Sequence, residues 1–261
     1  MASNKPLIGI NAEYFSNTKN NAAYSYVPTG YYDSLMKAGA TPIILPPYYE
    51  QEDIERVLDI LDGVVMIGGA DLDPQRDGFM LHPSIRRMEE RREIFDRQLI
   101  YEVAKRRIPF FGVGAGMQLL NVSQGGALFL HIPEDLPNAL PHIPHRNSSD
   151  PILRHALEVA PGSLMENVYG ENEIRVNSMH HMAVDDVAPG FIRTAWSPDG
   201  VTEAIESTQE DWFAIGTQFH PESSSATAMD VRLFFEFVHE INERKGVLVA
   251  TASDTNIFGL W

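Results

Sequence analysis

The chain has no cysteine among its 261 residues. That absence excludes disulfide bonds, thiolate metal sites and a cysteine nucleophile. Basic residues are also scarce, since 20 lysines and arginines against 36 acidic residues give a net charge of −16. Such a surface repels phosphate backbones and anionic lipid headgroups. We therefore expect neither a nucleic acid nor a membrane surface as a partner.

Long apolar runs are missing as well. No stretch approaches the ~20 consecutive apolar residues that span a bilayer, and the first residues lack the apolar segment of a signal peptide. We therefore expect a cytoplasmic protein. Hydrophobic residues make up 44% of the chain, which is close to the globular average and argues against disorder.

The first half of the chain alternates buried apolar runs with amphipathic segments. These patterns predict helices over residues 24–38, 52–61 and 86–105 and from 117, and strands over residues 7–10, 41–45, 63–67 and 109–113. Strands that are apolar on both faces and alternate with helices are typical of a parallel sheet covered by helices.

The second half has a different pattern. Residues 133–161 are rich in proline, histidine and aspartate and predict a long surface excursion. Short strands are predicted after it, with a turn at Asp199-Gly200 and a closing helix over 228–244, the strands being 175–178, 191–196, 204–207 and 213–218. We predict one α/β domain over residues 1–261, with a core of about 6–243. The apolar tail within 246–261 can dock on the core or on a partner subunit.

Residues 110–118 read Phe-Phe-Gly-Val-Gly-Ala-Gly-Met-Gln. A buried strand runs there into a glycine-rich turn and then a helix, as in the corner that presents a catalytic nucleophile. The helix N-terminus supplies free N–H groups for an anion. A tight turn that needs small residues explains the pattern equally well. A dinucleotide site fits less well, because the spacing is G-x-G-x-G.

Residues 218–222 read Gln-Phe-His-Pro-Glu and follow a predicted strand. Side chains two apart in an extended segment point the same way, so Glu222 can hold one N–H of the His220 ring. Such a pair acts on a proton donor, for example a nucleophile or water. From these residues alone, a surface histidine beside an acid remains the alternative.

A double glycine ends another predicted strand in residues 66–74, Met-Ile-Gly-Gly-Ala-Asp-Leu-Asp-Pro. Its backbone N–H groups can point at a developing oxyanion. Asp71 and Asp73 suit helix capping or an Asx turn better than a metal.

Histidines are frequent in the second half, at positions 131, 142, 145, 155, 180 and 181. None shows the H-E-x-x-H spacing or a comparable ligand pattern. We therefore predict no metal site and no cofactor.

Four motifs in order resemble the class I glutamine amidotransferase-like superfamily, and within it the γ-glutamyl-γ-aminobutyrate hydrolase branch, peptidase family C26. They occupy residues 68–74, 109–121, 176–181 and 218–222, and the resemblance covers about residues 6–243. It implies a flavodoxin-like α/β fold with a mostly parallel central sheet, flanking helices and a smaller antiparallel region in the second half.

The resemblance also implies a Cys–His–Glu triad that hydrolyses γ-glutamyl amides. Carried over by position, His220 is the base and Glu222 orients it. The oxyanion donors are the N–H groups of Gly69 or Ala70 and of Ala115. The glutamyl-binding pocket is expected beside Gln118, His180 and His181.

The motif departs from that family at its centre. The branch usually reads Gly-Ile-Cys-Arg-Gly-Met-Gln, whereas residues 112–118 read Gly-Val-Gly-Ala-Gly-Met-Gln. The nucleophile position is Gly114, which has no side chain. Two changes together with a cysteine-free chain favour a natural variant over an engineered knock-out.

Three functions follow from this departure. The first is a non-catalytic binder of a glutamine-like or γ-glutamyl small molecule, acting as a homo-oligomer or as the subunit of a partner enzyme. The second is a hydrolase in which His220 activates water. The third is an interaction protein whose cleft is vestigial.

Overall fold

The computed structural model describes residues 5–16, 22–144, 152–170 and 174–246. The strands are β1 (Leu7–Asn11), β2 (Glu13–Phe15), β3 (Tyr24–Tyr26), β4 (Thr41–Leu45), β5 (Gly63–Met66), β6 (Phe110–Val113), β7 (Leu128–Phe129), β8 (Leu153–Val159), β9 (Ile174–Ser178), β10 (Ala183–Val184), β11 (Phe191–Trp196), β12 (Thr202–Ser207) and β13 (Ala214–Thr217). The helices are α1 (Thr29–Lys37), α2 (Gln51–Leu58), α3 (Glu90–Arg106), α4 (Ala115–Ser123), α5 (Ile132–Asp135), α6 (Leu164–Tyr169) and α7 (Ala228–Arg244). A 3₁₀ turn covers Pro74–Asp77.

One large sheet has the strand order β4-β1-β5-β6-β13-β12-β11-β8-β9. The pairs from β4 to β13 are parallel, and the pairs from β13 to β9 are antiparallel. Strands β5, β6 and β13 are buried along their whole length, as strands covered on both faces must be. The expected α/β fold, with an antiparallel region in the second half, is confirmed.

Helix α7 covers one face of the parallel strands. Its N-terminus has a capping box, in which Asp230 N donates to Thr227 Oγ1 at 3.2 Å and Thr227 N donates to Asp230 Oδ2 at 2.6 Å. Phe234 and Phe237 pack against Phe111 of β6, with ring centroids 5.2 and 5.9 Å apart. The predicted bounds of this helix are confirmed because both its cap and its apolar face are visible in the sequence.

Two helices begin later than predicted. The helix expected from residue 24 begins at Thr29, and Tyr24–Tyr26 instead forms β3 against β2. Pro28 explains the difference, because the residue before a proline is disfavoured in a helix. The helix expected from residue 86 begins at Glu90. Residues 86–88 are held extended by Asp71, whose N donates to Arg86 O at 3.0 Å and whose O accepts from Met88 N at 2.9 Å.

The prediction that residues 133–161 form a surface excursion is wrong for part of that range. Strand β8 pairs with β9 and β11 inside the large sheet, and His142 and His155 are buried. A polar composition does not exclude burial when the ring nitrogens face other polar atoms. Residues 145–151 and the tail from 247 lie outside the described residues. Within the part of the chain that is described, no helix has the length and apolarity to cross a membrane.

Candidate functional site

Strands β5, β6 and β13 end side by side. Their register pairs Val64 with Phe110 and Phe110 with Ala214, so the segments that follow them meet at the carboxyl edge of the sheet. A β-carbon built on Gly114 would lie 3.5 Å from the Cα atom of Gly68. The prediction that the two glycine turns share one edge is confirmed.

Gly114 lies between β6 and α4 with φ 53° and ψ −113°, a backbone conformation that strains a residue with a β-carbon. The glycines on either side allow close packing. A β-carbon on Gly116 would lie 2.4 Å from Met66 O, and one on Gly112 would lie 2.6 Å from the carbonyl carbon of Gly116. The helix N-terminus therefore lies directly against β5 and β6.

His220 faces this glycine corner. Its Nδ1 lies 2.8 Å from Glu222 Oε1, and its Nε2 lies 3.2 Å from the place of a β-carbon on Gly114. An ionised carboxylate only accepts hydrogen bonds, so Nδ1 carries a proton and the Nε2 of the neutral ring presents a lone pair to the corner. The predicted hydrogen bond between His220 and Glu222, and the orientation of the ring, are confirmed.

The backbone of His220 is fixed by one side chain of β9. Asn177 Oδ1 accepts from His220 N at 2.9 Å, and Asn177 Nδ2 donates to His220 O at 2.8 Å. Asn177 belongs to the motif at residues 176–181, but the motif alone predicted no role for it. The two bonds hold the His–Glu pair against the sheet edge.

The turn after β5 is held by Arg92, which is fully buried. Its Nη2 donates to Gly68 O at 2.8 Å and to Ile67 O at 3.2 Å. The charge is balanced by Asp96, 3.2 Å away, and by Glu13. Burial raises the pKa of Asp96 to about 6 even though Arg92 opposes the shift. Nothing in the local sequence marked Arg92, because its partners are distant in the chain.

Tyr31 reaches the same turn from α1. Its hydroxyl accepts a hydrogen bond from Gly68 N at 3.0 Å, so that N–H is already used. Burial and the nearby Glu222 carboxylate raise the pKa of Tyr31 well above its ordinary value. The N–H groups that we predicted as oxyanion donors belong to the next two residues, Gly69 and Ala70. Ala115 is the first residue of α4, so its N–H has no partner within the helix.

An open cleft of about 470 Å³ lies beside the His–Glu pair. It is lined by His220, Glu222, Met179, residues 28–30 and residues 223–224. A cleft of this size accommodates a small polar molecule.

None of the three residues expected around a glutamyl pocket lines the cleft beside His220. Gln118 is buried, and its Nε2 donates to Gln218 Oε1 at 3.0 Å. The Nε2 of His181 lies 2.9 Å from Asp71 Oδ2. His180 turns into a separate buried group.

That group, here called the histidine cluster, lies in the antiparallel part of the sheet and consists of His142, His155, His180 and Glu203. His155 lies on β8 and Glu203 on β12, whereas His180 follows β9 and His142 lies between α5 and β8. Their exposed fractions are 4%, 5%, 7% and 0% in chain order. Their four candidate ligand atoms lie within 4.8 Å of one another.

The structure therefore brings four candidate ligands together where no ligand spacing in the sequence predicts a set. The ligand atoms come from four segments, so no spacing along the sequence reveals them. The only signal was the frequency of histidine in the second half. His145, which contributed to that frequency, lies outside the described residues.

The two aspartates after β5 have structural partners. Asp73 Oδ1 accepts from Gln75 N at 3.1 Å and caps the 3₁₀ turn. Asp71 Oδ2 accepts from Arg86 N at 2.7 Å. The expected cap is confirmed at Asp73, whereas Asp71 neither caps a helix nor forms an Asx turn and instead joins distant segments.

Comparison with known proteins agrees with this geometry. The family model for Peptidase C26 matches residues 6–222. Protein NtpR of Enterococcus hirae is 33% identical over 239 residues, covering 90% of this chain and 99% of that protein. Gamma-glutamyl-gamma-aminobutyrate hydrolase PuuD of Escherichia coli is 30% identical over 241 residues, covering 89% of this chain and 92% of that protein.

A solved glutamine amidotransferase from Thermotoga maritima has the same fold, with a TM-score of 0.55 and 17% identity over 93% of this chain and 86% of that one. The family model alone spans most of the chain, including the glycine corner and the His–Glu pair. The chain therefore belongs to the peptidase C26 family.

Proposed function

We propose that this chain is a non-catalytic member of its family that binds a glutamine-like or γ-glutamyl small molecule in the cleft beside His220. One observation carries the proposal. The Nε2 lone pair of His220 points at Gly114, where the resemblance puts the nucleophile and where the residue ends at Cα. The likeness to a protein named as a γ-glutamyl-γ-aminobutyrate hydrolase supports the ligand class.

Loss of the nucleophile removes turnover more than it removes binding. Attack needs a nucleophilic atom about 3 Å from the amide carbon, and positioning of that atom is worth up to about 7–11 kcal/mol. An oxyanion donor is worth about 2.7–4 kcal/mol. Donors at the turn after β5 and at the start of α4 can still hold a carbonyl oxygen, but they do not replace a covalent intermediate.

The test measures binding and turnover separately. L-glutamine and a panel of γ-glutamyl amides are titrated calorimetrically into the chain, and glutamate release is followed in the wild type and in His220→Ala. We expect binding, with glutamate release no faster in the wild type than in the variant. Turnover comparable to a working amidase, lost in His220→Ala, would overturn the proposal in favour of a water-activating hydrolase. Absence of both binding and turnover would also overturn it and leave the interaction protein.

A second experiment places a nucleophilic sulfur atom at position 114. In Gly114→Cys, the new β-carbon lies 3.2 Å from both Cε1 and Nε2 of His220, so the ring must move by a few tenths of an ångström. This sparsely populated backbone conformation strains the variant by about 1–3 kcal/mol. We expect Gly114→Cys combined with Ala115→Arg to release glutamate faster than Ala115→Arg alone. Equal rates from folded proteins would contradict the assignment of Gly114 to the nucleophile position.

A further inference from the structure

Three imidazole nitrogens of the histidine cluster converge on one carboxylate oxygen. Glu203 Oε1 lies 3.1 Å from His155 Nε2, 3.3 Å from His180 Nε2 and 3.6 Å from His142 Nδ1. The two shorter contacts lack hydrogen-bond geometry. His155 Nε2, His180 Nε2 and both carboxylate oxygens of Glu203 are buried without a hydrogen-bond partner. Buried polar atoms without partners are rare in folded proteins and require an explanation.

The opposite side of each ring shows which nitrogen carries a proton. His155 Nδ1 lies 2.9 Å from Ala156 O, and His180 Nδ1 lies 2.9 Å from Met182 O. A backbone carbonyl only accepts hydrogen bonds, so both Nδ1 atoms are protonated. In the neutral rings, the two Nε2 atoms are then bare acceptors that point at Glu203.

His142 is oriented in the same manner by a carboxylate. Its Nε2 lies 3.0 Å from Asp199 Oδ2, which leaves Nδ1 directed at the cluster. Ser178 Oγ lies 3.4 Å from that Nδ1, but it also donates to His142 O at 3.0 Å. A ligating histidine typically donates its other N–H to a carboxylate or a backbone carbonyl, and all three rings do so here.

The centre of the cluster thus holds three lone pairs and a carboxylate in a space closed to solvent. A proton on His155 Nε2 would pair that ring with Glu203 Oε1 and leave His180 Nε2 without a partner. A cation satisfies all four groups together. In a tetrahedron with bonds of about 2.1 Å, the ligand atoms are about 3.4 Å apart. The distances of 3.1, 3.3 and 3.6 Å from Glu203 lie around that value.

We infer that His142, His155, His180 and Glu203 bind one divalent transition metal ion, and that the ion is Zn²⁺. Three imidazoles and one carboxylate in a small buried space are a ligand set that suits zinc. A separate opening of about 420 Å³ is lined by both His142 and His180 and offers an entry path. With four protein ligands the site is closed, so its role is structural. It fastens β8, β12, the end of β9 and the segment at His142 to one another.

The experiment uses the full chain without a histidine tag, dialysed against zinc and then against buffer. Metal content is measured by mass spectrometry, and the affinity is measured by competition with a chromophoric chelator. We expect about one zinc per chain and a melting temperature that falls when a chelator removes it. Loading with Co²⁺ should give the intense visible bands of a four-coordinate ion.

Matched variants separate this site from adventitious surface binding. Glu203→Gln and His155→Gln should lower the affinity by at least tenfold, and Asp199→Asn, which changes only an outer partner, by about 10–100-fold. His181→Gln and His220→Gln alter histidines outside the cluster and should leave the metal content unchanged. If the cluster variants do not fold, the zinc stoichiometry and the cobalt spectrum of the wild type test the inference on their own.

No retained zinc and no four-coordinate cobalt spectrum would overturn the inference and leave a buried ion pair. Metal lost in His181→Gln but kept in Glu203→Gln would overturn it as well.

Discussion

Two of the histidine–carboxylate arrangements among the described residues differ in where the protons lie. In the first, Glu222 accepts from His220 at 2.8 Å beside an open cleft. In the second, His155 Nε2 and His180 Nε2 face the buried Glu203 carboxylate, and neither nitrogen has a hydrogen-bond partner. A pair with a donor and an acceptor is complete in itself, whereas a group made only of acceptors requires a cation. The same residue types therefore serve different chemistry, and their outer hydrogen bonds decide which.

The largest expected effect concerns the support of the glycine corner. Arg92→Met should lower the free energy of unfolding by about 3–5 kcal/mol, because it leaves Asp96 and Glu13 without their buried partner. Urea unfolding measures the change. The control is Arg56→Met, which breaks an exposed pair with Glu52 at 3.5 Å and should change stability by less than about 1 kcal/mol. Equal losses in the two variants would show that the buried charge network does not stabilise the corner.

The difference between the His220–Glu222 pair and the histidine cluster is tested by removing one imidazole ring from each in chelator-treated protein. His155→Ala should destabilise the fold by about 2–4 kcal/mol, since it opens a buried cavity and leaves polar atoms of the cluster exposed to it. His220→Ala, whose ring borders the cleft, should lower stability by less than about 1 kcal/mol. Thermal and urea unfolding give both values. A greater loss in His220→Ala than in His155→Ala would reverse the comparison.

A third, smaller effect concerns the close packing of α4 on β5. Gly116→Ala places a β-carbon 2.4 Å from Met66 O, and we expect a loss of about 1–3 kcal/mol from overpacking. Ser123→Ala, at the end of the same helix, should change stability by no more than about 0.5 kcal/mol. If Gly116→Ala is as stable as the wild type, the corner is looser than its geometry indicates.

The last effect is a dependence on pH, which is gradual because the proton is released over about two pH units. The pKa of Asp96 is raised from its ordinary 3.8 to about 6, so the folded chain holds a proton that the unfolded chain releases between these values. The stabilisation that comes from this proton on Asp96 is complete below pH 3.8 and is lost as the pH rises through about 6. The slope is at most about 1.4 kcal/mol per pH unit. Asp96→Asn should remove that slope from unfolding free energies measured between pH 4 and 7, and identical slopes in both proteins would contradict the assignment.

The elements that the sequence predicted well are those whose signals are local. The cap and the apolar face of α7 lie within a few residues of each other, and the glycine corner at Gly114 follows directly from a buried strand. The i, i+2 spacing was enough to place Glu222 beside His220. Each of these depends on backbone geometry that neighbouring residues impose.

The features that the sequence did not reveal depend on contacts between distant segments. Arg92 could not be linked to Gly68 before the fold brought α3 against the turn, and strand β8 lies in a stretch whose composition resembles a loop. The histidine cluster takes its members from four segments, so a search for ligand spacing fails even though every ligand is visible in the sequence. Tertiary contacts, which override local preference, account for these differences.

The end of β9 imposes a constraint on chain length. Asn177 holds His220, and Ser178 donates to His142 O. Met179 lines the cleft, His180 enters the cluster, and His181 contacts Asp71. Five consecutive side chains thus contact five different parts of the molecule. Inserting or deleting one residue would shift every side chain by one position and break all five contacts. Evolution can vary the residues of this segment one at a time, but it can change their number only by abandoning the cleft and the cluster together.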